Sequence, residues 1–324
     1  MTFLKSFVRR KELLRRRNIT LKGAAMSLVY SVPGKTFLAG EYLALHGGPA
    51  LVFLSQPCFE LEVTKGAGGK GTIHKESPAG RFMQKHEDYF LQFDLNFKDA
   101  YAGRGGFGAS TAQFLGVYAL WLHKEAYHQD MEKILDFKHL LEAYYDVAWN
   151  GVGRRPSGAD LVGQLKGALT FFDKRQGLIS VKSWPFEDLE FFLIHTGNKV
   201  ATHEHLKKLS DFDSSTLEKS FTFIRDSFDK QQSELFVEGV NSYAAALKDL
   251  GFTCDETLQL LEKLKDLDDV KAVKGCGALG ADVVLAVTTK GEHQALHDYC
   301  SQHSLSILSS SGKISSGLQV RGSL

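Results

Sequence analysis

Gly66–Gly71 (GAGGKG) and Gly103–Gly108 (GRGGFG) both carry the spacing G-x-G-x-x-G, which can cradle phosphate when it opens a helix. The first is followed by TIHKES, which has no helical continuation, and reads as a hairpin loop. The second runs straight into ASTAQFLGVYALWLH from Ala109, apolar almost all round, as expected of a helix buried on most faces. Glycines there allow positive φ and close approach of an anion, and the helix N-terminus adds unpaired N–H groups and a partial positive charge. Ser110 and Thr111 supply hydroxyls that can cap the helix or ligate Mg²⁺. The same residues can also be read as plain N-capping of a core helix. No G-x-x-x-x-G-K-[ST] occurs, so the P-loop fold is unsupported, and a β-rich segment ahead of the loop does not suit a dinucleotide fold.

Other chemistry-bearing residues carry less. Cys58, Cys254, Cys276 and Cys300 lie far apart, with no C-x-x-C pair, and read as reduced thiols of a cytoplasmic protein. His203 and His205 are spaced i, i+2, which points them to opposite sides of a helix, and no third ligand is evident nearby, so a metal site is rejected. An Asp after Ser-Gly, such as Asp160, is on its own most often a turn residue.

These residues need elements to hold them. A chain of 324 residues with 43% hydrophobic content can bury one large core or two moderate ones. A net charge of +1 gives no overall attraction to nucleic acid or membrane, and no apolar run approaches a membrane span. Strands are expected at Ser27–Val32, Thr36–Ala39, Pro49–Leu54, Phe59–Val63, Leu165–Phe172, Leu189–His195 and Asp282–Thr288. Helices are expected from Ala109, around Leu140–Ala148, over a long polar region Ser214–Leu250, and near Glu256–Leu264. The divisions are a basic extension over 1–26, a first domain over 27–185 and a second over 186–324. Met26, just before the first strand, is an alternative start, and the arm before it reads as dispensable.

Read together, the segments resemble the motifs of the GHMP kinase family, named for galactokinase, homoserine kinase, mevalonate kinase and phosphomevalonate kinase. Pro33-Gly34-Lys35-Thr36-Phe37-Leu38-Ala39-Gly40-Glu41-Tyr42 is similar to P-G-K-x-x-L-x-G-E-[HY]. Gly106-Phe107-Gly108-Ala109-Ser110-Thr111-Ala112 is similar to G-L-G-S-S-A-A, and Gly277-Ala278-Leu279-Gly280-Ala281-Asp282 to G-A-G-G-G-[GD], worn at Leu279 and Ala281. Arg155-Pro156-Ser157-Gly158-Ala159-Asp160 resembles the P-S-G-x-D segment of the mevalonate-pathway kinases. The order of the motifs is the family's.

The resemblance implies a two-domain α+β fold, with an N-terminal β-rich domain like ribosomal protein S5 and a C-terminal ferredoxin-like domain. It implies ATP and Mg²⁺ as cofactors, Asp160 and Lys35 as catalytic groups, and nucleotide contacts from Gly105, Gly106, Phe107, Gly108, Ala109, Ser110, Thr111, Gly277, Ala278 and Gly280. Ser110 falls on the Mg²⁺-binding serine. Asp146 is the acidic metal ligand if Asn150-Gly151 closes its helix and the residues after it hold a short insertion.

Acceptor contacts are implied for Lys35, Glu41, Arg154, Arg155 and Ser157, and for Lys199, Thr202 and His203, which resemble the family's K-x-S-T segment. Two arginine forks before the catalytic loop suit a substrate bearing carboxylate and phosphate. Gly40-Glu41-Tyr42, the residues after Ser157-Gly158 and the Asp282 ending lean toward phosphomevalonate over mevalonate. A decarboxylase of diphosphomevalonate and an inactive nucleotide-binding sensor are the other readings. The partner is a small molecule, with a homodimer left open.

Overall fold

The computed structural model describes residues 27–66, 71–123, 136–197, 209 and 211–323. The strands are β1 Ser27–Ala39, β2 Pro49–Lys65, β3 Phe93–Lys98, β4 Leu169–Asp173, β5 Leu178–Lys182, β6 Leu189–His195, β7 Val270–Cys276, β8 Val283–Thr289, β9 Ser306–Ser310 and β10 Gln319–Gly322. The main helices are α1 Pro78–Lys85, α2 Ala109–His123, α3 Phe137–Ala148, α4 Ala159–Lys166, α5 Ser215–Lys230, α6 Ser233–Asp249, α7 Asp255–Lys265 and α8 Gln294–Gln302.

Two sheets organise them. The first runs β10-β1-β2-β4-β5 with β3 also paired to β2, and the second runs β7-β8-β6-β9. Both are antiparallel throughout. In the first, α2 and α4 pack on β1 and on each other; in the second, α6 and α7 cover β7. The expected helix from Ala109 is buried on most sides, as its largely apolar sequence requires.

Four expectations change. Thr36–Ala39 continues the first strand, which runs unbroken through Pro33-Gly34, and Phe59–Val63 likewise continues the strand from Pro49. Leu165 lies in the last turn of α4 rather than starting a strand, because Gly167, at φ 85°, stops the helix before β4 begins at Leu169. The polar region 214–250 is two helices, parted where Gln231 takes a left-handed conformation at φ 55°. Finally, β10 leaves the second half of the chain and pairs with β1, Leu28 opposite Gly322 and Ser31 opposite Gln319. No described helix is long and apolar enough to cross a membrane.

Candidate active site

The glycine loop, Lys35 and the Asp160 helix converge on β1. Lys35 sits in β1, and its N–H donates to Phe107 O at 3.0 Å, which fastens the strand to the loop. Gly108 has φ 79°, and a Cβ placed on it would lie 2.7 Å from Lys35 Cγ, so only glycine lets the lysine lie along the loop. From α4, the Gln164 amide donates to Pro33 O at 2.9 Å and to Gly108 O at 3.2 Å. Gln164 and Asp160 stand four residues apart on that helix and share a face. One side chain therefore ties the Asp160 helix to both the Lys35 strand and the glycine loop.

The first turn of α2 separates its two hydroxyls. Thr111 donates to Gly108 O at 3.0 Å, while Ser110 is exposed. The N–H groups that begin the helix have no partner within it, so Gly105 to Thr111 offers a donor-rich, positively polarised end. Phe107 is buried and stacks on Tyr101 with ring centres 4.2 Å apart, which anchors the loop from below. Gly105 and Gly106 rest against Asp282 at the end of the third motif, since a Cβ on Gly105 would meet its Oδ1 at 2.6 Å.

The Ser157-Gly158 turn depends on α3. Gly158 is left-handed at φ 80°, and a Cβ there would lie 2.2 Å from Leu141 Cδ2 and 2.9 Å from the Tyr145 hydroxyl. That hydroxyl donates to Ser157 O at 2.8 Å. It also accepts from Lys174 Nζ at 2.9 Å, and the Arg155 guanidinium carbon lies 4.6 Å from the ring centre. Burial, against the pull of Arg155, pushes the Tyr145 phenol up to about 12, so it stays a neutral donor. Burial first, and then Arg155, lowers the Lys174 pKa.

Other expected residues have different surroundings. Arg154 pairs with Asp211 at 2.6 Å and lies beside His46, whose pKa burial and then Arg154 push down. Asp146 bonds to Lys85, and its side chain is 61% exposed. Glu41 is enclosed, with Oε1 2.5 Å from Lys274 Nζ and Oε2 buried without a hydrogen-bond partner. Lys199, Thr202 and His203 lie outside the described residues, as does the His203-Glu204-His205 run.

The third motif makes a tight turn. Gly277 has φ 81° and Gly280 φ 60°, and between them Leu279 is left-handed at φ 52°. Its N–H donates to the Tyr42 hydroxyl at 3.1 Å and its carbonyl accepts from Cys254 N at 3.0 Å. Gly40 N–H donates to the Tyr243 hydroxyl at 3.0 Å. Gly40-Glu41-Tyr42 is thus a joint between the first sheet and the second half of the chain.

Sequence reasoning missed Gln164, Lys174, Tyr145 and Lys274. For Gln164 the signal existed, as a polar residue one helical turn beyond Asp160. Gly275-Cys276-Gly277-Ala278-Leu279-Gly280 also has the G-x-G-x-x-G spacing, and it leads out of a strand into a short turn rather than a helix.

No protein-family model matches the chain, and no curated protein matches it in sequence. Solved structures do match in fold. The Lin0012 protein of Listeria innocua aligns with a TM-score of 0.72 at 16% identity, over 91% of this chain and 99% of that one. Phosphomevalonate kinase of Streptococcus pneumoniae aligns at 0.67 with 16% identity, over 88% and 99%. Mevalonate kinase of Methanococcus jannaschii aligns at 0.67 with 12% identity, over 91% and 99%. The two-sheet α+β architecture is that of the GHMP kinases, and at such identities the likeness is one of fold.

Proposed function

We propose that this chain is an ATP-dependent kinase acting on a small anionic acceptor, with phosphomevalonate preferred and mevalonate next. The observation that carries the reading is the double hydrogen bond of Gln164, which holds the Asp160 helix against both Pro33, two residues before Lys35, and Gly108 of the glycine loop. A carboxylate, an ammonium and a phosphate-sized backbone cradle are the parts phosphoryl transfer needs.

The residues fit a magnesium nucleotide at the loop. Gly106 and Gly108 are left-handed, the start of α2 is positively polarised, and Ser110 keeps an exposed hydroxyl. Gly105 to Thr111 would hold the phosphates and Ser110 the metal, with Gly277, Ala278 and Gly280 closing the other side. Asp146 joins the metal only by leaving Lys85. When bound, the magnesium nucleotide supplies the transferable phosphoryl group and neutralises part of its charge. Lys35 stabilises charge on that group, and Asp160 takes or orients the proton of an acceptor hydroxyl. Arg154, Arg155 and Ser157 orient the acceptor. Glu41 acts by position, through the joint it forms with Lys274.

The test is ADP release with Mg-ATP against mevalonate, phosphomevalonate, diphosphomevalonate, homoserine and galactose in parallel, with CO₂ followed for the third. Turnover on phosphomevalonate alone supports the preferred acceptor, and CO₂ release marks a decarboxylase. Leu279 favours a second reading, a nucleotide-binding sensor. A leucine with both backbone groups engaged stands where the family resemblance expects glycine. ATP binding with no ADP on any acceptor would establish the sensor and end the kinase proposal.

A further inference from the structure

Two kinds of cation can be told apart among the described residues. Arg154 pairs with Asp211, Arg175 with Glu218, Lys182 with Asp229 and Lys85 with Asp146. Arg155 and Lys174 have no carboxylate within ion-pair distance among the described residues, yet both are gathered on one aromatic ring. Lys174 Nζ is 4.5 Å from the Tyr145 ring centre and the Arg155 guanidinium carbon 4.6 Å. A ring quadrupole offsets a single cation modestly and does nothing for the repulsion between two. Burial first, and then the nearby Arg155 charge, lower the Lys174 pKa. Two like charges held together beside a neutral phenol lack a counter-ion that the described residues do not provide.

Their place says what the counter-ion is. The Tyr145 hydroxyl that takes Lys174 Nζ at 2.9 Å gives its own proton to Ser157 O at 2.8 Å, three residues before Asp160. The uncompensated charges therefore sit one hydroxyl away from the turn that delivers the catalytic carboxylate.

We propose that Arg155 and Lys174, set by Tyr145, form a clamp for a dianionic phosphate group on the acceptor, and that Lys174 is the residue that selects acceptors bearing one. The inference rests on the kinase reading for the word acceptor and on the described geometry for the clamp. Lys174 supplies a point charge and Arg155 a planar fork, a combination suited to three phosphate oxygens.

The test is made on the full chain with inorganic phosphate as probe. Trp149 reports on it, since its ring centre lies 6.0 Å from the Arg155 guanidinium carbon. Tryptophan emission should respond saturably to phosphate and not to acetate at equal ionic strength. Lys174→Gln should weaken the phosphate response at least about tenfold, the loss of one charge-assisted hydrogen bond, while Lys174→Arg stays within about threefold. Circular dichroism checks folding, and if Lys174→Gln does not fold, the exposed Arg155→Gln carries the same test. Among acceptors, Lys174→Gln should raise KM for a phosphorylated one and leave KM for ATP unchanged.

No saturable phosphate response in the unaltered protein, or a Lys174→Gln protein that titrates like it, overturns the clamp. An equal response to acetate overturns the selectivity for a dianion. A phosphate response that Lys174→Gln abolishes, together with silence on every acceptor, upholds the clamp and sinks the kinase reading alone.

Discussion

Glu41 and Lys274 meet at 2.5 Å although they are 233 residues apart in sequence, one following β1 of the first sheet and the other within β7 of the second. The lysine side chain is fully enclosed and its ammonium also donates to Gly275 O at 2.7 Å. Tyr243 lies beside it, with its ring centre 5.6 Å from Nζ. A pair so placed joins the two halves of the molecule at the point where the first and third motifs touch. Removing one partner strands the other charge in the core, which costs about 3–5 kcal/mol. Lys274→Met and Glu41→Gln should each lower the unfolding free energy from urea titration by an amount in that range, and Glu41→Leu with Lys274→Met should recover much of it. Single variants as stable as the parent would show that the pair does not hold the halves together.

Lys274 and two buried thiols set an alkaline limit. Burial alone pulls Lys274 down, but Cys276 and Glu41 together hold its pKa above the ordinary 10.5, and burial pushes the Cys276 and Cys300 thiols from 9.0 up to about 11. In each case the folded pKa exceeds the unfolded one, so the stability these groups contribute is complete below the unfolded value and lost as pH rises through the folded one. Unfolding free energy should stay level from neutrality to about pH 9 and then fall, the thiols acting first and Lys274 later. Cys276→Ala with Cys300→Ala should move the onset upward. A curve that falls equally early in that double variant contradicts the assignment.

Asp160→Asn distinguishes two acceptor chemistries. If the acceptor atom is a hydroxyl, loss of the base should lower turnover by about 10²–10⁴-fold with ATP binding retained. If it is an oxygen of a phosphate dianion, which needs little help from a base, the loss should be far smaller and Arg155→Gln should hurt more. Single-turnover ADP formation with unchanged nucleotide affinity is the readout. An Asp160→Asn protein unimpaired on a hydroxyl acceptor removes Asp160 from the mechanism.

Gly108→Ala places a methyl group 2.7 Å from Lys35 Cγ in a left-handed backbone that costs a side chain about 1–2 kcal/mol. Both effects displace Lys35 from the loop. ATP affinity should drop about tenfold or more by calorimetry, with the unfolding midpoint moving only modestly. Unchanged affinity would show that nucleotide does not bind against this glycine.

Tyr42→Phe keeps the stack on Phe252, whose ring centre is 4.1 Å away, and removes only the hydroxyl that accepts from Leu279 N–H. Stability should fall by about 1 kcal/mol, and KM for ATP should rise because the third-motif turn loses its support. A rise in acceptor KM alone would instead assign Tyr42 to the acceptor pocket.

The parts of the site that lie close along the chain were legible. Gly103–Gly108 running into an apolar helix announces both a loop and its buried support, since glycine spacing and helical burial are local properties. The two-sheet architecture followed from the order of the motifs. Lys174 was not legible, because it is simply the residue after β4, and nothing in the sequence marks its contact with Tyr145, 29 residues earlier. Glu41 shows the converse: its place in a motif suggests a ligand contact, and the partner beside it here is a lysine that no local pattern marks. The end of α4 was misread because Leu165 to Phe172 is apolar on both sides of Gly167, and apolar runs do not by themselves tell helix from strand.

The return of β10 to the first sheet has a consequence for any attempt to separate the halves. The stretch from β6 to β9 is an excursion with both ends anchored in the sheet where the chain began, so a cut near Pro185 severs one anchor and carries off the strand that covers β1. A fragment made that way would present the backbone N–H and C=O groups of Leu28 to Ser31, now bonded to Gln319–Gly322, as a bare edge. Such a fragment would need a replacement strand, such as a peptide spanning Gln319 to Gly322, to close that edge.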